Sequence, residues 1–135
     1  ALGEVQMKKL PLMVEKRRKN YSKFAEVMAQ FDCIDIQAET GESSWFGFSM
    51  TVKSDANFSR DMLVQALNAN NIECRPVVGG NIIHNEMMKY FDYTISGLLT
   101  AADRIHNHGL FIGNHHIDIS SGLENLRDTI WRLEK

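Results

Sequence analysis

Only two cysteines occur in the 135 residues, too few for the cross-linking that small secreted domains use in place of a core. Cys33 and Cys74 both lie in strand-like apolar settings, which reads as free, buried thiols in a reducing compartment. An excess of one charge is lacking as well: 15 Lys and Arg face 17 Asp and Glu, for a net charge of −2. That balance leaves no electrostatic footprint for a nucleic acid. No apolar run reaches the length of a membrane span, and no secretory leader pattern is visible. Repeats and low-complexity tracts are absent. What remains is 44% hydrophobic and 24% charged residues, enough to bury a core as one soluble, cytoplasmic unit with no membrane or nucleic-acid partner.

Prolines are equally scarce, and the first, Pro11, falls within thirty residues that otherwise read as helix. It reads either as a kink or as the first residue of a second helix. Ala1-Leu2 has no capping residue ahead of it, so the helix reads as cut from a longer one. Tyr21, Phe24, Ala25, Met28 and Phe31 recur at helical spacing as one apolar stripe. Lys16, Arg17, Arg18 and Lys19 read as a solvated charged face of the same helix.

Residues 33–37 alternate as a strand, 40–44 supply a turn, and 45–53 alternate again. The pair reads as an antiparallel hairpin with Phe46, Phe48, Met50 and Val52 on one face. Gly47 falls on the other face beside Trp45, where it leaves room for a ligand or another backbone. Ser59 caps a helix carrying Leu63, Ala66 and Leu67 that ends at Asn70-Asn71. Thr100-Ala-Ala-Asp103 and Ser121-Gly-Leu-Glu124 read as capping boxes of two later helices, the first ending at Gly109. Leu110 to Ile112 reads as a strand between them. The order is that of an α/β fold: a small antiparallel or mixed sheet of about four strands covered by helices, with a long N-terminal helix.

The second proline stands in the stretch around which the rest is organised. Ile72 to Val78 is β-compatible, but Pro76 cannot donate to a ladder, so the strand belongs at an edge or stops there. Gly79-Gly80-Asn81 then turns the backbone through conformations that other residues avoid. Asn81 caps a short helix through Ile82-Ile83 to Met87-Met88. Arg75, a glycine loop with free amides and a helix start would lie together there, a corner suited to a polar or anionic ligand.

All five histidines fall between His84 and His116. His106 and His108 are two apart near a helix end and diverge, where they complement the helix dipole. His115 and His116 are adjacent and would point apart if extended. Neither pair has metal-ligand spacing, and no metal site is expected. None of the eight lysines sits in the apolar context of a desolvated nucleophile.

Arg75-Pro76 followed by Gly80-Asn81 resembles sugar-modifying enzymes of the pyridoxal-phosphate fold-type I superfamily. Within it the chain is similar to the DegT/DnrJ/EryC1/StrS type, both 3-dehydratases of nucleotide-linked 4-keto-6-deoxyhexoses and their sister sugar aminotransferases. Four more segments agree in order: residues 3–10 leading into 15–18, then 44–48, 99–104 and 110–113. The resemblance covers nearly the whole chain, but only the C-terminal third of such an enzyme. It implies a fragment with residues 1–30 as a helical segment leading to a large domain, and 31–135 as the small domain. Leu2, Val5, Leu10 and Met13 would then lack a core to bury them.

Further implications concern the chemistry. The cofactor, pyridoxal or pyridoxamine 5′-phosphate, would be held mainly by the large domain, with no catalytic residue in these 135 and the fragment inactive alone. In the dehydratases a histidine, also outside this chain, replaces the Schiff-base lysine. A nucleotide-sugar substrate, an amino donor such as glutamate and a homodimer are implied as partners. Carried over by motif, the substrate-contact positions are Arg75, Gly80, Asn81 and His84, with Trp45, Phe48, Asn114 and His115 as weaker members. Gly79, His84 and Asn85 depart from the related pattern, so the sugar substituents read there would differ. The segments 45–48 and 80–81 favour deoxygenation at C-3 over amination at C-4. A stand-alone α/β module that binds a metabolite is the rival reading.

Overall fold

The computed structural model describes residues 2–135, so Ala1 and its part in the helix start lie outside the described residues, as does the side chain of Leu2. Helix α1 runs unbroken from Leu2 to Met28 with Pro11 inside it, so no second helix begins there. The missing proline N–H leaves the Met7 carbonyl without its helical partner. Met7, Val5, Leu10 and Leu12 are all exposed, and water can take that carbonyl. Met13 is half-buried. The second half of α1 differs, because Phe24 and Met28 turn one stripe inward and Phe31 follows them into the core.

Strands β1 (Ile34–Ile36) and β2 (Gly47–Val52) form the expected hairpin, with Ile34 opposite Val52 and Ile36 opposite Met50. Helix α2 (Arg60–Ala69) starts at Ser59, whose hydroxyl accepts from Met62 N–H at 3.2 Å. It ends where Asn71 adopts φ 58° and Ile72 N–H reaches back to the Leu67 carbonyl, a left-handed helix stop. Strand β3 is only Cys74–Arg75. It stands at the sheet edge and stops before Pro76, as a residue without an N–H requires.

Two 3-10 turns follow, Ile82–His84 and Glu86–Tyr90, capped by Asn81 and Asn85 in place of one helix. Helix α3 (Thr100–His108) leads into β4 (Gly109–Gly113), and α4 (Ser120–Glu134) closes the chain. Neither later capping box forms. Leu99 and Ile119 occupy the cap positions without a side-chain bond, one residue before Thr100 and two before Ser121. Asp103 bonds elsewhere, and Asp118 accepts from Ser120 N–H. Gly109 is extended rather than left-handed. Its requirement is space, since a Cβ there would meet the Ile105 carbonyl at 2.3 Å.

The four strands are antiparallel in the order β1-β2-β4-β3. One face carries Phe48, Met50, Val52, Leu110 and Ile112 and meets Phe24 and Met28 of α1, Leu63 and Leu67 of α2, and Leu123, Leu126 and Ile130 of α4. Each such side chain contributes roughly 1.5–3 kcal/mol by leaving water. On the opposite face Arg104 of α3 pairs with Asp35 of β1.

The hairpin alternation breaks at its start. Trp45 has φ 52°, which reverses the parity before pairing begins at Gly47. Trp45 is therefore buried and stacks on Tyr21 at 3.5 Å, while Phe46, expected inside, is 73% exposed. The Arg17 guanidinium lies over the Phe46 ring, and Arg18 donates to the Ser43 carbonyl. Those two members of the basic run dock on the hairpin loop instead of forming a solvated face. A Cβ on Gly47 would meet the Ile112 carbonyl at 2.8 Å, so the neighbour that needs this glycine is β4.

Both cysteines are free and half-buried. Burial, with Glu134 beside it, pushes the Cys33 thiol up to about 12, which keeps it protonated and unreactive. No helix among the described residues is long and apolar enough to cross a membrane.

Candidate functional site

The glycine corner is built by two positive-φ residues, Gly79 at 81° and Gly80 at 49°. Its amides are not free as the sequence led us to expect. Gly80 N–H donates to the Val77 carbonyl at 3.0 Å, and Asn81 N–H donates to His106 Nδ1 at 3.3 Å. A Cβ on Gly80 would stand 2.5 Å from that same nitrogen, so only glycine lets His106 close on the turn. Asn81 is 4% exposed, its Oδ1 accepting from Ile83 N–H and its Nδ2 donating to Asp103 Oδ1 at 2.7 Å. His84 Nε2 meets the same carboxylate oxygen at 2.7 Å, and its ring lies 4.8 Å from that of His106. The two bonds from His84 and then Asn81 hold the Asp103 carboxyl below its ordinary value. What forms is a half-exposed carboxylate clamped under an imidazole, not an anion-binding nest.

Arg75 is not part of that cluster. Its guanidinium pairs with Glu73 at 2.7 Å on the edge strand, and both line a cavity of about 520 Å³ at the end of the sheet. Phe46, Phe48 and Phe111 give it an aromatic wall, and Asn114 after β4 and Gly122 in the first turn of α4 complete the lining. An apolar wall with a few convergent polar groups is the usual form of a small-molecule pocket.

Asn114 reaches the cavity, but its side chain is spent elsewhere. It donates to the Arg17 and Trp45 carbonyls at 3.1 and 2.8 Å and accepts from Asn20 Nδ2 at 3.2 Å. Asn20 in turn donates to the His115 and Ile117 carbonyls. These two buried asparagines tie α1 to the loop after β4. Trp45 lies behind the cavity as core. His115 is exposed with its ring stacked on His116 at 4.3 Å, so the two do not point apart. Burial and the charges of His115, Arg17 and Lys16 push the His116 imidazole down.

Of the eight positions singled out, the structure thus brings Gly80, Asn81 and His84 together, and separately Phe48, Arg75 and Asn114. It places Trp45 and His115 in neither group. Sequence reasoning missed Asp103, His106 and Asn20. The signal for the first two was their i,i+3 spacing on a helix, which sets both on one side. His106 had been assigned only to the helix dipole. Among the described residues no group of three or more His, Cys, Asp or Glu side chains could hold a metal ion.

The chain's own residues do not fit a pyridoxal phosphate. Neither the glycine corner nor the cavity contains a lysine. Lys23 is bonded to Asp118 and Ser120, Lys53 to Asp35 and Lys89 to Glu86. No lysine is therefore placed at either site to hold the cofactor as a Schiff base.

Comparison with known proteins gives the lineage. Over 127 residues the chain is 51% identical to GDP-4-keto-6-deoxy-D-mannose 3-dehydratase of Yersinia pseudotuberculosis, covering 93% of this chain and 32% of that protein. It is 44% identical over 131 residues to the protein of the same name from Escherichia coli O55:H7, covering 96% of this chain and 34% of the other. A crystal structure of GDP-4-keto-6-deoxymannose-3-dehydratase with a trapped PLP-glutamate geminal diamine superposes with TM-score 0.89 at 44% identity, over 94% of this chain and 33% of that one. The chain spans about a third of the length of the relatives it matches. The profile described as the DegT/DnrJ/EryC1/StrS aminotransferase family matches residues 1–120, and the chain belongs to that family.

Proposed function

We propose that these residues are the carboxy-terminal part of a longer enzyme that removes the C-3 oxygen of a GDP-linked 4-keto-6-deoxyhexose, with pyridoxal or pyridoxamine phosphate as cofactor, in a route to surface polysaccharide. The observation that carries this reading is the 51% identity to a dehydratase of that specificity. The cofactor and the catalytic groups belong to the remainder of the enzyme, since this chain spans only about a third of such a relative. Residues 31–135 act as the small domain, and residues 1–30 lead from the large one. A homodimer and glutamate as amino donor complete the reading; the adduct named for the relative contains glutamate. Arg75, Phe48, Gly80, Asn81 and His84 face the nucleotide sugar, while Trp45 and Asn114 hold the surface from behind.

The test is product analysis. The enzyme carrying this chain is incubated with GDP-4-keto-6-deoxymannose, glutamate and pyridoxal phosphate. A 3-deoxy product with 2-oxoglutarate release is expected. A 4-amino sugar would instead establish amination, the chemistry that the family name carries. A metabolite bound saturably by the 135 residues alone, with no turnover by the longer protein, would leave a binding module.

A further inference from the structure

Asp103 and His106 belong to none of the positions assigned above, yet the contacts of Asn81 N–H, Asn81 Nδ2 and His84 Nε2 all end on one of them. A neutral imidazole offers one N–H and one lone pair, and which nitrogen holds the proton is set by its partners. His84 Nε2 faces Asp103 Oδ1 at 2.7 Å, and a carboxylate can only accept. The His84 proton therefore sits on Nε2, and the Nδ1 lone pair is left over. His106 Nδ1 accepts from Asn81 N–H at 3.3 Å, so its proton also sits on Nε2, and that N–H is left over. The rings are 4.8 Å apart, tilted by 35°, and the His84 and Asp103 side chains are 47% and 43% exposed.

We infer that Asp103 and His106 are positioning residues that fix the tautomers of two neighbouring imidazoles, leaving a His84 Nδ1 acceptor and a His106 Nε2–H donor on rings 4.8 Å apart, a complementary pair suited to a hydroxyl group of the sugar. A hydroxyl both donates and accepts, so such a pair satisfies it where two donors or two acceptors would not. The hydroxyl assignment rests on the proposed function; the tautomer assignment does not. Asp103 acts through one oxygen, since His84 and Asn81 both meet Oδ1. An amide oxygen in the same place would accept both bonds, so the requirement is for an acceptor and not for a charge. His106 is required as an acceptor at Nδ1 and as a donor at Nε2, and these two roles are separable by substitution.

The experiment has two arms. In the first, imidazole nitrogen spectra of the longer enzyme are recorded at about pH 8.5, above the ordinary histidine range. Both rings should carry the proton on Nε2, and the His84 Nε2–H should exchange slowly. That slow exchange should survive Asp103→Asn and vanish in Asp103→Ala. A proton on Nδ1 of either ring, or equal behaviour of Asn and Ala at 103, overturns the positioning assignment.

In the second arm the longer enzyme is assayed with His106→Asn, which retains an acceptor for Asn81 N–H but has no donor at the Nε2 position. Its KM for the nucleotide sugar should rise about tenfold with kcat within about twofold, while Asn81 amide protection in the chain stays at the wild-type level. An unchanged KM overturns the hydroxyl pair. If the wild-type enzyme turns over no nucleotide sugar, the proposed function and the hydroxyl pair fail together, whereas the tautomer assignment still stands or falls on the first arm.

Discussion

The sheet face under α1, α2 and α4 buries side chains from every element that touches it, whereas residues 76–99 bury a single one, the polar side chain of Asn81. Hydrophobicity does not separate the two regions. Val78, Ile82, Met87, Tyr90, Phe91, Tyr93, Ile95 and Leu98 are all large and all exposed. The difference is periodicity. Leu123, Leu126 and Ile130 share one side of a helix, but Pro76, Gly79, Gly80 and Gly97 keep 76–99 in short turns that have no side to bury. The core is thus held by area, and the corner by a few polar contacts to α3. Segments fixed in that way open at lower free energy than the whole molecule.

Truncating the core should give the largest effect. Leu126 is fully buried among α4, α1 and the sheet, and Leu126→Ala removes three carbons and leaves a cavity. A loss of about 2–5 kcal/mol is expected in denaturant unfolding, seen alike by fluorescence and circular dichroism. A loss below about 1 kcal/mol would show that the packed region is as loosely held as the corner.

Asn20→Ala should come next. It removes the donor shared by Asn114 Oδ1 and the His115 and Ile117 carbonyls, all at 2.8–3.2 Å. Leaving buried acceptors without a partner costs roughly 2–3 kcal/mol. Because these bonds tie α1 to the loop after β4, the transition should remain global and lose stability at a single midpoint.

Asn81→Ala should instead divide the two regions. It deletes the cap on Ile83 N–H and the bond to Asp103, worth together about 1–2 kcal/mol. Hydrogen exchange should speed up within 77–99 and leave β2, β4 and α4 at wild-type rates. In the longer enzyme, a substrate-facing corner predicts a drop in kcat/KM of roughly 10- to 1000-fold. Kinetics within about twofold of wild type would reduce Asn81 to a peg that holds the segment down.

The same division decided what could be read from the residues. The element order, the hairpin, the Ser59 cap and the edge strand ending at Pro76 are local or periodic facts, and each was legible. Trp45 and Phe46 exchanged places because one left-handed residue reverses strand parity, and nothing local marks a tryptophan for φ 52°. The Thr100–Asp103 capping box failed for a tertiary reason: Asp103 has two better donors across the corner in Asn81 and His84. His106 was read as a helix-end cation because its partner, the Asn81 amide, is 25 residues away in the chain. The candidate site was therefore half legible. Its loop is written in Gly79-Gly80-Asn81, but the α3 side chains that organise it are joined only by folding.

The smallest effect tests whether an exposed polar contact can also serve the packed region. Asp118 stands just ahead of α4 and accepts from the Ser120 hydroxyl at 2.6 Å, from Ser120 N–H at 3.1 Å and from Lys23 Nζ of α1 at 3.0 Å. The Ser120 hydroxyl, followed by Lys23, lowers its carboxyl to about 2. A carboxyl depressed in the folded state binds its proton more readily when unfolded, so its contribution is full above the unfolded value of about 3.9 and fades as pH falls towards the folded one. The side chain is 71% exposed, so solvent screens the pair and the effect on unfolding is small. The titration itself is the sharper readout. The Asp118 carboxyl carbon should titrate near pH 2 in the wild type. The midpoint should rise in Ser120→Ala and rise less in Lys23→Met, following the order of the two causes. A wild-type midpoint near the ordinary carboxyl value would mean that the α1–α4 tie opens in solution. The packed region would then owe nothing to this exposed pair, and its polar support along α1 would rest on the buried Asn20 and Asn114 bonds.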